Sequence, residues 1–370
     1  MGRPPWPEPT SDRFSLITSS VRHRLEERED TLSPHAARSW QSLGRELPEQ
    51  PSQWRTEFQR DRDRILHSKS FRRLRHKTQV FIAPAGDHYV TRLTHTLEVS
   101  QIARTIARAL NLNEDLTEAI ALGHDMGHTP FGHIGEEEMT GLHPDGFRHA
   151  EQSLRIVELL EKEGKGLNLT WEVRHGIVSH SKPRGDFLGG EVPDKLSLEG
   201  QICRVADAVA YLNHDLADAF RAGLAHPHDL PADVIAVLGA RHSQRIDTMV
   251  GDIVGSSWAA TGEDGLAPER QRAIGMSPEV RNAVNVMRDF MFETVYIPSD
   301  RGEEGEAARK VIQLLYGYYD KNREHIPPEY GRDDSRSVVD HIAGMTDRYA
   351  LRVAERIEPG VARVLQRALA

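Results

Sequence analysis

Residues 196–221, LSLEGQICRVADAVAYLNHDLADAFR, read as one long helix. Leu198, Ile202, Val205, Val209, Leu212, Leu216 and Phe220 recur at helical spacing, and no Pro or internal turn signal interrupts them. On a helical wheel Leu198, Val205, Val209, Leu212 and Leu216 cover one side, while the small residues Cys203, Ala206, Ala210 and Ala217 flank the other. A helix apolar or small around most of its circumference belongs inside a fold. Asp207, Tyr211 and Asp215, at i, i+4 and i+8, form a narrow polar stripe on it. A buried carboxylate needs a cation, a hydrogen-bond partner or a cavity. The competing reading is that the stripe faces water, and the helix alone does not choose.

Working outward, nearly every periodic segment from Trp54 onward is helical. Leu93, Leu97, Ile106 and Leu110 mark one helix, and Leu112, Leu116, Ala119 and Ile120 another. Leu154, Val157 and Leu160 follow, then Val173 and Ile177, with later helices over Val280–Phe292, Ala307–Tyr319 and Val338–Ala350. Only Thr78–Val90, with its Pro and Gly, suggests a short hairpin. Pro and Ser clusters make the start of the chain and 32–53 mobile or extended; the Gly/Pro/Asp-rich stretch 182–195 is a candidate active-site loop and 260–269 a surface loop. The expected fold is all-α: an N-terminal, partly irregular extension (1–53), a helical core (54–225) and a helical C-terminal part packed on that core (226–370).

Composition narrows the chemistry. One cysteine in 370 residues excludes an internal disulfide framework and a zinc site built on several thiolates, whereas 19 histidines leave imidazole and carboxylate as the available ligands. A net charge of −9 argues against a globally basic nucleic-acid binder. No run of about 18 apolar residues offers a spanning helix, and MGRPPWPEPT lacks the apolar core of a secretory signal; a cytoplasmic protein without membrane contact is expected. No Walker A loop, GxGxxG or GxSxG is present.

The histidines concentrate in GHDMGHTPFGHIGE (123–136). A His-Asp pair alone means little, since this composition produces about one by chance and the chain holds three, at His124, His214 and His228. Context separates them. His95 lies on the apolar face shared by Val99, Ile102 and Ile106, where a lone imidazole is often a hydrogen-bonded core residue. His124-Asp125 ends a second apolar-faced helix, where Gly127 and Pro130 must terminate it, so its side chains can converge with one from a neighbouring helix. Two imidazoles with two carboxylates form a mixed nitrogen and oxygen set suited to Mn²⁺, Fe²⁺, Zn²⁺, Co²⁺ or Ni²⁺ better than to an all-oxygen Mg²⁺ or Ca²⁺ cage. His128, His133 and Glu136 follow on a Gly/Pro-bracketed turn, and His149 begins the next helix; these groups suit proton transfer near neutrality. For His143, beside Pro144 and Asp145, a surface turn is the better reading. Residues 54–79 are locally basic, with Arg60-Asp61-Arg62-Asp63 read as a solvated face and Arg72-Arg73-Leu74-Arg75 as a denser cluster. Arg92, one turn before His95, can hold a phosphate oxygen beside a metal.

Four blocks carry a resemblance: DRDRILHSKSFRRLRHKTQVF (61–81), TRLTHTLEVSQIAR (91–104), GHDMGHTPFGHIGEE (123–137) and LEGQICRVADAVAYLNHDLADA (198–219), with DHIAGMTDRYA (340–350) as a fifth. In order and spacing they resemble the HD-domain metal phosphohydrolases, specifically the bacterial deoxyguanosinetriphosphate triphosphohydrolase-like proteins. The resemblance implies an HD-domain helical bundle and a divalent metal (Mn²⁺, Mg²⁺ or Fe²⁺) on His95, His124, Asp125 and Asp207. It implies that Arg72 and Arg92 meet phosphates, Gln79 the base or nearby sugar, and Tyr211 and Asp215 the deoxyribose. His128, His133, Glu136 and His149 would serve water activation and leaving-group protonation, with His133 as general acid supported by Glu136. The implied reaction is attack of water at the α-phosphorus of a dNTP, releasing deoxynucleoside and tripolyphosphate. A homo-oligomer, hexameric in the family, and a second dNTP as activator are further implications, with Lys182 and Arg348 as outer phosphate or interface contacts. Two other readings compete: an HD phosphohydrolase acting on nucleoside monophosphates or cyclic nucleotides, and a nucleotide or single-stranded DNA sensor without turnover that uses residues 54–79.

Overall fold

The helix read over 196–221 forms as Leu198–Arg221, started by the Ser197 hydroxyl, which accepts the Gly200 N–H, and it lies at the centre of the molecule. The structure is a computed structural model describing residues 21–81, 89–181, 188, 192–263, 273–331 and 335–365. Its principal helices are α1 (Glu57–Leu66), α2 (Arg92–Ala109), α3 (Glu114–Gly123), α4 (Gly132–Leu142), α5 (His149–Arg155), α6 (Trp171–Ser179), α7 (Leu198–Arg221), α8 (His242–Ser256), α9 (Pro278–Met291), α10 (Glu303–Lys321), α11 (Ser335–Ala343) and α12 (Asp347–Ile357). The fold is all-α: among the described residues there is no strand, only an isolated antiparallel bridge between Thr78 and Thr91. That bridge joins the ends of the segment read as a hairpin, whose residues 82–88 lie outside those described. Among the described residues no helix is long and apolar enough to cross a membrane.

Helix α7 packs against α2, α3 and α6, and α1 covers α3. Helix α2 opens with a Thr91/Thr94 capping box and buries Val99, Ile102, Ala103 and Ile106 against this core. One apolar cluster runs from Ala36 through α7 to Val295. A second gathers Phe131, Ile134, Met139 and Phe147 with residues of α10, α11, α12 and the C-terminal turn. The beginning of the histidine-bearing α4 is therefore packed by the C-terminal helices.

Several expectations are corrected. The helix read over Val338–Ala350 is two helices, because Gly344 ends the first and the Thr346 hydroxyl accepts the Tyr349 N–H to start the second. The segment 32–53 is irregular but anchored: Glu29 accepts from Ser39 and Asn113, and Arg45 pairs with Glu57 and Asp61. The same Asp61 overturns the solvated-face reading of 60–63, since it is fully buried and also accepts from Thr170 N and Oγ1 at 2.8 and 2.6 Å. His143 is buried rather than on the surface, its turn folded back through a His143 N–H bond to Met139 O.

Candidate active site

Helix α3 begins at Asn113, whose side chain accepts the Leu116 N–H, and buries Leu116, Ala119 and Ile120. Helix α6 crosses it closely at Gly176, where a Cβ would lie 2.4 Å from Ile120 Cδ1. The crossing brings two helix ends together, and each is followed by a histidine. A helix C-terminus leaves carbonyls without intrahelical partners, and both imidazoles use one. His124 Nδ1 donates to Ala121 O and His180 Nδ1 to Ile177 O, each at 2.6 Å, with ring centroids 4.9 Å apart. A ring that donates through Nδ1 keeps its lone pair on Nε2. His124 Nε2 is buried and has no hydrogen-bond partner.

Helices α2 and α7 supply the groups that face this nitrogen. Asp207 Oδ1 lies 3.9 Å from His124 Nε2 and 3.2 Å from His95 Nε2. Asp125 stands alongside, with Oδ1 3.5 Å from His124 Nε2 and Oδ2 3.7 Å from His95 Nε2. Behind His95, its Nδ1 meets His214 Nε2 at 2.9 Å, the His214 ring lies beside the Asp215 carboxylate (Nδ1 to Oδ1 2.8 Å), and the Tyr296 hydroxyl donates to Asp215 Oδ2 at 2.8 Å. His95 Nε2 is thereby turned toward Asp207 and Asp125. Burial would raise both aspartates, yet the surrounding imidazoles hold Asp125 and Asp207 below the usual carboxylate range; burial lowers His95. A lowered imidazole at His95 facing carboxylates held below their usual range is the arrangement that a divalent cation requires. The unpartnered His124 Nε2 shows that these residues fit one.

A second group lies on the other side of Asp125. Gly127 lets the turn 125–128 press onto α5, since a Cβ there would lie 2.2 Å from Ser153 N. This stacks His128 on His149 with ring centroids 4.0 Å apart. His149 Nδ1 meets Glu136 Oε1 at 2.8 Å, and its Nε2 meets His180 Nε2 at 3.1 Å. Burial alone would push His149 down, but the Glu136 carboxylate outweighs it and raises the group. Burial pushes His180 down to about 3, and burial with Arg92 nearby lowers His128 strongly. Of the three rings His128, His149 and His180, His149 is the one raised. His133, on the exposed side of α4, has its Nδ1 3.5 Å from Glu136 Oε2, and its side chain is 68% exposed.

Both groups open into one cavity of about 430 Å³, which Arg288, Phe292 and Tyr296 also line. Its cations are Arg92, Arg204 and Arg288. Arg92 Nη1 donates to Asp125 Oδ2 at 2.6 Å, whereas Arg204 and Arg288 form no ion pair among the described residues. The Arg288 Nε is buried without a partner. Residues 92–212 match the HD domain, and residues 274–356 match the phosphohydrolase-associated domain. A deoxyguanosinetriphosphate triphosphohydrolase-like protein of Caldanaerobacter subterraneus subsp. tengcongensis is 54% identical over 342 residues, covering 90% of this chain and 93% of its own. The chain belongs to that deoxyguanosinetriphosphate triphosphohydrolase-like family of HD-domain proteins. Relatives with the same name from Desulfatibacillum aliphaticivorans and Clostridium tetani are 47% and 44% identical, over 91% and 93% of this chain and 98% of each relative. It is thus a metal-dependent HD-type hydrolase.

Within this triphosphohydrolase-like chain the structure brings most of the anticipated residues together. His95, Asp125, His128, His133, His149, Asp207, Tyr211 and Asp215 line the cavity. His124 lies directly behind, and Glu136 beneath His149. Gln79 also lines it, with Oε1 buried and unpartnered. Arg72 is not brought there: its guanidinium is exposed and donates to His67 O at 3.3 Å. The helix carrying it turns Phe71 and Leu74 inward, so the basic cluster 72–75 points elsewhere. Arg348 is exposed on α12, and Lys182 lies outside the described residues. Sequence reasoning missed His180, His214, Arg204, Arg288 and Tyr296. His180 had a usable signal, for it ends an apolar-faced helix just as His124 does.

Proposed function

We propose that the protein is a dNTP triphosphohydrolase that splits the bond between the α-phosphorus and the 5′ oxygen. The observation carrying this reading is one cavity with a cation-ready His/Asp floor and two arginines, Arg204 and Arg288, lacking acidic partners among the described residues. Unpaired guanidinium groups half or fully withdrawn from water call for an anion with several oxygens, as a triphosphate has. Tyr211, Tyr296 and Asp215 in the same cavity offer hydroxyl and carboxylate groups suited to a sugar. When bound, a divalent ion such as Mn²⁺ or Mg²⁺ would polarise the α-phosphoryl group and lower the pKa of water. Arg92, fixed on Asp125, orients an α-phosphate oxygen beside the floor. Glu136 and His149 hold a proton at the cavity wall, and His133, free to reach into the cavity, delivers one to the departing 5′ oxygen. Water oxygen bonds to the α-phosphorus as its bond to that oxygen breaks, leaving deoxynucleoside and tripolyphosphate.

The test is turnover of each of the four dNTPs with Mn²⁺, alone and paired with a second dNTP, with products separated by ion exchange. Tripolyphosphate and deoxynucleoside in equal amounts support the reading. Absence of tripolyphosphate from all four dNTPs and all pairs refutes it. Acceleration by the second nucleotide, read beside the sedimentation of the loaded protein, tests the activator and the hexameric assembly together.

A further inference from the structure

Among the described residues, α11 and α12 of the phosphohydrolase-associated part contribute no side chain to the cavity, yet the corner between them grips the catalytic turn. Asp347, in the first turn of α12, is buried. Its Oδ2 accepts the Thr78 N–H at 2.8 Å and the Thr78 hydroxyl, while its Oδ1 accepts the Phe131 N–H at 3.1 Å. Four residues earlier, the Ala343 carbonyl accepts from the buried Lys77 Nζ at 2.8 Å, and the same nitrogen donates to His128 O. The corner 343–347 thus holds two segments at once: residues 77–79 and the turn 128–131.

Each segment sets a catalytic group. Arg92 takes its orientation from residues 77–79: its N–H donates to Lys77 O at 3.1 Å, Nε to Thr78 O at 3.1 Å and Nη2 to Gln79 O at 3.4 Å. Phe131 sits at φ 62°, a left-handed conformation that a bulky residue adopts only when its surroundings impose it. It starts α4, the helix of His133 and Glu136, with no side-chain cap of its own. The two segments also touch: a Cβ at Gly132 would lie 3.0 Å from Gln79 O and 3.2 Å from Arg92 Nη2.

We propose that Asp347, with Lys77 beside it, is a positioning residue that fixes Arg92 and the start of α4 against each other through Thr78 and Phe131. The proposal rests on the phosphohydrolase reading given above. It also gives the associated domain a mechanical role, since that domain then braces the phosphate-orienting and proton-delivering sides from behind.

Asp347→Asn is the informative change, because it keeps the shape and the double acceptor toward Thr78 but turns an amide N–H toward the Phe131 N–H. Turnover is measured per bound Mn²⁺, counted by calorimetry, on dNTPs and on bis(p-nitrophenyl) phosphate. The expected result is a fall in kcat of about tenfold or more, with KM and Mn²⁺ affinity within about threefold of the wild type. Combining it with Arg92→Lys should give a variant no slower than the slower single one, because both act on the same orientation. A kcat per loaded site within twofold of wild type, or effects that multiply in the double variant, overturns the proposal. Should Asp347→Asn fail to fold, Thr78→Val, which removes one donor to the same carboxylate, is read by the same criteria with a smaller fall. A wild type that cleaves bis(p-nitrophenyl) phosphate but no dNTP counts against the substrate reading alone, and the Asp347 comparison is then read on the phosphodiester.

Discussion

Asp125 separates two sets of histidines, and what stands behind each ring distinguishes them. On one side His124 leans on a backbone carbonyl and His95 on the His214 ring. On the other, His149 and His133 lean on the Glu136 carboxylate. A carbonyl behind Nδ1 accepts one proton and leaves a lone pair at Nε2, which suits a ligand. Behind His149 a carboxylate adds negative charge and favours the imidazolium, which suits a proton donor. His180 crosses the boundary: built like His124 at a helix end, it lies beside His149 and accepts its proton. Similar side chains are thus set up differently by the atom behind them.

The largest test of that division is Asp207→Ala. It should abolish calorimetric Mn²⁺ binding and reduce turnover to background; Mn²⁺ affinity like that of the wild type would remove Asp207 from the ligand set. His133→Ala acts on the other side alone. Mn²⁺ should bind as before while kcat falls roughly 10²–10⁴-fold, the usual share of a general acid; a parallel loss of Mn²⁺ binding would merge the two sides. The smallest effect sharpens the comparison with an imidazole that has no carboxylate behind it. Burial, with Arg73 nearby, pushes His341 down to about 4 from 6.5. The unfolded chain therefore takes up this proton first, so stability falls as pH drops from about 6.5 toward 4, by about 1.4 kcal/mol per pH unit for one proton. His341→Phe should lose less of its Tm between pH 7 and pH 5 than the wild type does, with unchanged turnover at pH 7.5. An equal loss would show that other groups account for the acid sensitivity.

Much of this was legible in advance, for local reasons. Helical periodicity placed α2, α3 and α7, and the position of His124-Asp125 at a helix end separated it from His228-Asp229, which lies exposed on a short turn. The basic residues were harder to place. Arg72 and Arg204 both neighbour apolar residues, but only Arg204 faces inward, on a helix enclosed by its neighbours. Asp61 looked like one charge in a solvated run until Arg45 and Thr170 enclosed it. Thr346 restarting a helix was a local signal overlooked beneath continuous apolar spacing.

By itself the sequence determined the helices, the stripe Asp207-Tyr211-Asp215 and a donor inventory confined to imidazole and carboxylate, because these depend on spacings within one or two helical turns. The tertiary structure alone decided which nitrogen holds a proton and which offers a lone pair. His95 is wired to a residue 119 positions away and His149 to one 31 away. A ring's tautomer depends on its partner's chemistry, and that partner arrives only when the helices pack.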